Sequence, residues 1–178
     1  MLYPMVRSFL VPLAAATLLA ACGGGEVAIF IEDDFGNENS YSSGRVGTVD
    51  VVSPQDTRFS GTYTTNDVQL TGTYRFAPAG TIPATCRFRF AGLQLDGRNA
   101  FLDGEIRYRV NSTEVVTSFL AINGLAYRLD DSAAVVVNKD LSRIRFQNAT
   151  LSSRGNPAET ITVTGFIPYR SDNLPNGC

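Results

Sequence analysis

Histidine and tryptophan are both absent from the 178 residues, and Lys139 is the sole lysine. Without histidine the chain lacks the commonest general base and the commonest metal ligand, so a Ser or Cys nucleophile would have no ordinary partner. An excess of one charge is missing too. The 15 Lys+Arg and 17 Asp+Glu leave a net of −2, with no global field to draw in a polyanion. No nucleic-acid partner is therefore expected. The chain contains no G-x-S-x-G, P-loop or H-E-x-x-H pattern, so no cofactor and no metal are expected. After residue 44 no stretch keeps a helical period.

Long apolar runs are equally scarce. The one that exists, 9–21, follows a short segment whose single charge is Arg7. It is shorter than the roughly 20 residues that span a bilayer and ends in small side chains, which fits a signal peptide over 1–21. The next residue is a cysteine. Leu19-Ala20-Ala21-Cys22, followed by Gly23-Gly24-Gly25, resembles the lipobox of bacterial lipoproteins at all four positions. The resemblance covers the leader alone. It implies cleavage before Cys22, acylation of that cysteine, and attachment to a membrane by several chains, which together anchor stably. Glycine rather than aspartate after the cysteine is similar to lipoproteins sorted to the outer membrane of Gram-negative bacteria, facing the periplasm.

If Cys22 takes the lipid, Cys86 and Cys178 are left as an even pair in an exported protein, where a disulfide is expected. Closing a loop of roughly 90 residues would stabilise by about 4–5 kcal/mol in the chain-entropy description. The alternative is a Cys178 that stays free in the tail.

The run 27–31 reads as a first short strand, and 32–44 as an acidic turn-rich stretch. Together with the glycines they form a tether over 22–44. Glu32, Asp33, Asp34 and Glu38 lack the spacing of a calcium loop, which favours a solvated turn. From residue 45 the apolar period is two almost throughout. In 67–77 one side carries Val68, Leu70, Gly72, Tyr74 and Phe76; in 99–110 it carries Leu102, Gly104, Ile106, Tyr108 and Val110; in 160–169 it carries Ile161, Val163, Gly165, Ile167 and Tyr169. Asp96-Gly97 and Asn123-Gly124 are favoured hairpin dipeptides. Taking Asp96-Gly97 as a two-residue turn, with a bulge at Ala91-Gly92, sets Phe90 opposite Leu102 and Phe88 opposite Gly104. Arg89 then meets Asp103, and Arg87 meets Glu105. Glycines recur mid-strand on the inward side (Gly61, Gly72, Gly104, Gly165), as a sharply coiled sheet requires. The expectation for 45–178 is one all-β domain, an antiparallel meander of about eight to ten strands, with a small barrel ahead of a two-sheet sandwich. Leu70-Thr71-Gly72-Thr73-Tyr74 is similar to a strand of the avidin-like barrels. Those proteins use tryptophan against their ligand, and the lipocalin signature needs a Gly-x-Trp, so neither site carries over.

Arg-x-Arg occurs at Arg87/Arg89, Arg107/Arg109 and Arg143/Arg145, always on the outward parity. Cross-strand ion pairs on a solvated face are the favoured reading, with Arg107 and Arg109 as the candidate anion-binding pair. Asp103 and Glu105 are the only carboxylates placed for a hydrolase, at i and i+2 with no apolar pocket to shift a pKa. Catalysis is not expected. The expected role is binding, either of an envelope protein partner or of a small apolar ligand lined by Tyr74, Phe88, Phe90 and Tyr108. A structural or assembly-accessory lipoprotein without a small ligand is the alternative, and a carboxylate hydrolase is a more distant third.

Overall fold

The computed structural model describes residues 41–70, 74–81, 83–169 and 174–178. The leader, Cys22, the run 27–31, the acidic residues 32–40 and Gly72 lie outside the described residues. What is described is all β, apart from single 3-10 turns at Thr57–Phe59 and Ser132–Ala134. The strands are β1 (Tyr41–Ser42), β2 (Gly47–Val52), β3 (Gly61–Thr65), β4 (Gln69–Leu70), β5 (Tyr74–Phe76) and β6 (Thr85–Leu95). They continue as β7 (Phe101–Arg109), β8 (Val115–Ile122), β9 (Leu125–Leu129), β10 (Val135–Asn138), β11 (Arg143–Ser153) and β12 (Thr160–Pro168).

Eight of these close an antiparallel barrel in the order β2-β3-β6-β7-β8-β9-β11-β12, with β12 pairing back onto β2. Each wall strand pairs with its neighbour along the chain, so this is an up-and-down barrel. Closure removes the unpaired edges that an open sheet would present. The remaining four strands lengthen the wall. After β3 has paired with Leu95, β4 and then β5 follow along the same edge of β6, reaching Phe90 and then Arg87 to Thr85. β10 likewise continues β9 along β11. The alternating pattern BiBeBe of β2 sends Val49 and Val51 inward, and the same alternation lines the interior with Phe88, Phe90, Leu102, Ile106, Phe146 and Ile161.

The glycines inside this wall have separate causes. A Cβ on Gly104 would lie 2.5 Å from Phe90 Cζ and 2.7 Å from a Leu120 methyl, so the missing side chain is the space that the ring fills. Gly165 has φ +142, and its Cβ would collide with the Thr48 carbonyl oxygen and reach within 2.8 Å of Val49 Cα, where β12 and β2 come together.

The barrel has two unlike ends. One carries the connections 53–60, 96–100, 123–124 and 154–159, and is called here the open end. The other carries 110–114, 139–142 and the segment 174–178, which crosses it as a strap. Cys86 and Cys178 form a disulfide with Cα atoms 5.7 Å apart. The strap is also held by Tyr108 Oη, which donates to the Cys178 carbonyl at 3.2 Å, and by Asn111 N, which donates to the Gly177 carbonyl at 2.7 Å.

Four details differ from what the sequence suggested. The connection from β6 to β7 is longer than a two-residue turn, since Gln94 pairs with Phe101. The register therefore moves by two, setting Phe90 opposite Gly104, Phe88 opposite Ile106 and Arg89 opposite Glu105. The bulge does lie between Phe90 and Leu93. The expected strand over 67–77 is broken, with Val68 and Leu70 inside but Tyr74 and Phe76 outside. Leu70 pairs with Phe90 while Tyr74 pairs with Arg87, so the register slips by one, and a one-residue slip exchanges the faces of a strand. Lastly, β1 falls within the stretch read as tether, so the folded wall reaches back from residue 45 to Tyr41.

Candidate functional site

The residues expected to form a site are not brought into one place. Phe88, Phe90 and Tyr108 are buried in the barrel, where Phe88 packs on Phe90 at 6.2 Å and on Tyr169 at 5.9 Å between ring centroids. Tyr74, expected to join them, is 46 % exposed on the outer wall, for the register reason given above. Arg107 and Arg109 are each engaged by a carboxylate. Arg107 Nε donates to Glu105 Oε1 at 2.6 Å, and Arg109 Nε lies 2.9 Å from Glu114 Oε1. Their guanidiniums therefore serve separate ion pairs rather than one anion cradle.

The outer wall across β5, β6 and β7 is also more enclosed than a solvated face. Glu105 is fully buried and takes Arg89 Nε at 2.8 Å on its second oxygen. The guanidinium of Arg87 stacks over the rings of Tyr74 and Phe76, at 5.1 Å from each, and that of Arg107 lies 5.1 Å from the Phe76 ring. Asp103 accepts the Gly92 amide at 3.1 Å, fixing the bulge. Burial raises the Asp103 pKa, and that hydrogen bond partly opposes the rise. Both candidate hydrolytic carboxylates are thus committed to holding the wall.

Among the described residues, three recesses lie at the open end. In the β2–β3 connection the Ser53 amide donates to Ser60 Oγ at 2.8 Å, pinching the base of the loop. Asp56 caps the turn Thr57–Phe59 by accepting from Arg58 N, and it takes the Arg58 side chain through Nε at 2.9 Å and Nη2 at 2.6 Å. This guanidinium holds the Asp56 carboxyl below its ordinary range. Phe59 turns inward, and Tyr63 Oη donates to its carbonyl at 3.1 Å. Arg98, from the β6–β7 loop, crosses over and donates through Nη1 to the carbonyls of Thr57 at 3.3 Å and Arg58 at 3.0 Å. Asn123 Oδ1 accepts the Phe101 amide at 2.9 Å and ties in the third loop.

Between these loops lies a cleft of about 690 Å³ lined by Arg58, Phe59, Arg98, Asn99 and Asn123. Arg98 and Asn99 form a ridge, with a second cleft of about 420 Å³ on the far side against Gln94 and Asp96. A third, of about 170 Å³, lies where Asp56, Tyr127 and Glu159 meet. Burial raises the Tyr127 pKa, and the carboxylates of Glu159 and Asp56 add to the rise. Phe101, Leu125 and Val52 are exposed apolar side chains near this end. The arrangement offers guanidinium and amide donors beside apolar surface, held by hydrogen bonds between loops. Among the described residues there is no group of three or more His, Cys, Asp or Glu side chains that could hold a metal. Sequence reading passed over this end because it took Asp96-Gly97 as the whole turn. A signal lay in Asp96, Gly97 and Asn99, three turn formers in four residues where a tight hairpin needs two. No family model, curated protein or solved structure matches the chain.

Proposed function

We propose that this chain is a non-enzymatic binding protein of the bacterial envelope, tethered by a lipid on Cys22 and engaging a protein partner with the loops of its open end. The observation that carries the choice of partner is the packing at Gly104. The Phe90 ring and a Leu120 methyl close on Gly104 and leave no room for even a Cβ, so the interior is packed at the level of Phe90. An eight-stranded barrel is about the size at which side chains alone fill the inside, so an interior ligand has to compete with them. The recesses at the open end, with arginine and apolar groups side by side, suit a protein surface better. The engagement of Asp103 and Glu105 by Gly92 and by two arginines supports a role without catalysis. The tether rests on Leu19-Ala20-Ala21-Cys22.

Two measurements test this reading. Intact protein from envelopes should carry the mass of a diacylglyceryl and an acyl group, and Cys22→Ala should move it out of the membrane fraction. A photo-crosslinking side chain at Asn99 should give one adduct of defined mass in living cells, while the same group at Thr164, on the exposed wall, should give none. Equal labelling at both positions, or at neither, would count against a partner at the open end.

A further inference from the structure

The segment after the register slip has no place in the function so far. Every residue from 74 to 81 is exposed, and the stretch Tyr-Arg-Phe-Ala-Pro-Ala-Gly-Thr contains two aromatics, two alanines, a proline and an arginine, with no acid. A β-strand ordinarily hides alternate residues, so exposure at each position marks this one as an edge of the wall that nothing covers, continuing into an exposed arm. Tyr74 and Phe76 are 46 % and 36 % exposed, yet both are held upright by Arg87 stacking at 5.1 Å. Arg75 donates to the Asn176 carbonyl at 3.0 Å, fastening the arm to the strap that the disulfide holds. Among the described residues around it are Arg75, Arg87, Arg107 and Arg109 and two carboxylates, Glu105, buried against Arg89 and Arg107, and Glu114, paired with Arg109.

β5 pairs with Thr85 to Arg87, the first residues of β6, so the arm belongs to the strap end. β1 and β2 run from that end toward the open end, so Tyr41 also lies toward the strap end. The chain from Cys22 to Tyr41 would span at most about 60 Å when extended. A lipid at Cys22 would keep the barrel within reach of a bilayer without fixing which end faces it, so the composition of the arm has to supply the orientation.

We infer that the arm 74–81 is a membrane-contact element whose partner is an anionic phospholipid surface. Tyr74, Phe76 and Pro78 enter the interfacial region, and Arg75 reaches the lipid phosphates. Aromatic side chains with one polar edge favour the headgroup level, and each arginine near an anionic leaflet adds to the attraction. The contact turns the open end away from the membrane, where a partner can reach it. In that sense the inference rests on the tethered reading proposed above.

The absence of tryptophan supplies the probe. In the full chain carrying Cys22→Ser, which removes the acylation site, Phe76→Trp introduces a single, selectively excited tryptophan on the arm, and Leu125→Trp places one at the open end. With vesicles of phosphatidylglycerol and phosphatidylethanolamine, Phe76→Trp should shift to the blue and be quenched by brominated acyl chains, and Leu125→Trp should do neither. Replacing Tyr74→Ser and Phe76→Ser together should lower vesicle partitioning by about tenfold or more. Arg75→Glu should weaken binding to anionic vesicles while leaving phosphatidylcholine vesicles unaffected. A cooperative urea transition with the parent's slope shows that each variant is folded, and a thiol count shows the Cys86–Cys178 bridge intact. Unmoved emission from Phe76→Trp, or partitioning unchanged in the Tyr74/Phe76 variant, overturns the inference. The two readings fail separately. A Cys22 without acyl chains sinks the tether and leaves the vesicle result standing, whereas an acylated Cys22 with a silent arm sinks only the arm.

Discussion

Glu105 shows how one residue can be read correctly for direction and wrongly for environment. Alternation puts its side chain on the outer face, and there it is, but it is fully buried between Arg89 at 2.8 Å and Arg107 at 2.6 Å. Removing the charge leaves two guanidiniums without the carboxylate they share, the costly way to break a buried pair. Glu105→Gln should therefore lower unfolding free energy by about 3–5 kcal/mol, seen as a lower urea midpoint. Adding Arg89→Met to that variant should recover part of the loss, and additive losses would show that the two side chains act independently. Asp103 behaves differently. Burial raises its folded-state pKa above the unfolded value, so its ionised form is disfavoured in the fold and protonation on acidification relieves the penalty. Asp103→Asn keeps an oxygen for the Gly92 amide, so it should be at least as stable as the parent at neutral pH. That advantage should fade as pH falls through the raised pKa. An advantage that grew toward acid would contradict the assignment.

At the scale of strands, the sequence is most informative where turn chemistry is strict. Asn123-Gly124 has both residues at positive φ, at 49° and 83°, and Ile122 pairs with Leu125 across it, as the dipeptide indicates. The longer β6–β7 connection was only weakly marked, by Asn99 alone, because Asp96-Gly97 satisfies a tight turn equally well and a shift of two residues leaves every side chain on its expected face. The slip between Leu70 and Tyr74 was hidden for the opposite reason. The alternation of apolar residues runs on unbroken through 68–76, so nothing in the pattern marks where the faces exchange. Inward glycines were legible as positions, but not their causes. Gly104 exists for the Phe90 ring, so Gly104→Ala should cost about 1–3 kcal/mol through overpacking, and Phe90→Leu in the same chain should return part of it. Gly165→Ala should admit no such rescue, because what stands in the way is the backbone of Thr48 and Val49 and the φ of +142 is strained for any L side chain. Thermal unfolding of the four proteins, with the double variant, separates the two cases.

For the molecule as a whole, the barrel was legible because successive β-hairpins leave a sheet whose first and last strands must be paired or exposed, and sharp inward glycines favour pairing. The recessed open end was not legible, since loop–loop bonds such as Arg98 to the carbonyls of Thr57 and Arg58 leave no periodic trace. Two global stability predictions follow from the packed interior. Burial pushes the Tyr63 hydroxyl up to about 12 and raises Tyr108, Tyr127 and Tyr169 above their ordinary value of 10.0. Each folded pKa lies above the unfolded one, so the stabilisation is whole below about pH 10 and is lost as pH rises through the folded values. Unfolding in alkali should thus coincide with ionisation of these four of the seven tyrosines, and tyrosinate absorbance exceeding that of the other three before the fold is lost would contradict the burial.

The disulfide acts on the same scale, since Cys86 and Cys178 stand 92 residues apart and enclose most of the wall. Chain entropy assigns such a loop about 4–5 kcal/mol, nearly all through the unfolded chain. Native contacts of the strap, such as Asn111 N to the Gly177 carbonyl and Tyr108 Oη to the Cys178 carbonyl, need only the strap's local position. If the entropic account holds, the reduced protein and a Cys86→Ser, Cys178→Ser variant should have nearly equal urea midpoints, both far below that of the oxidised protein. The unfolding slope should rise when the bridge is absent, because the freed chain exposes more surface. Equal slopes with a small loss of stability would instead mean that the unfolded chain stays compact without the bridge, and that the strap is held chiefly by its own hydrogen bonds.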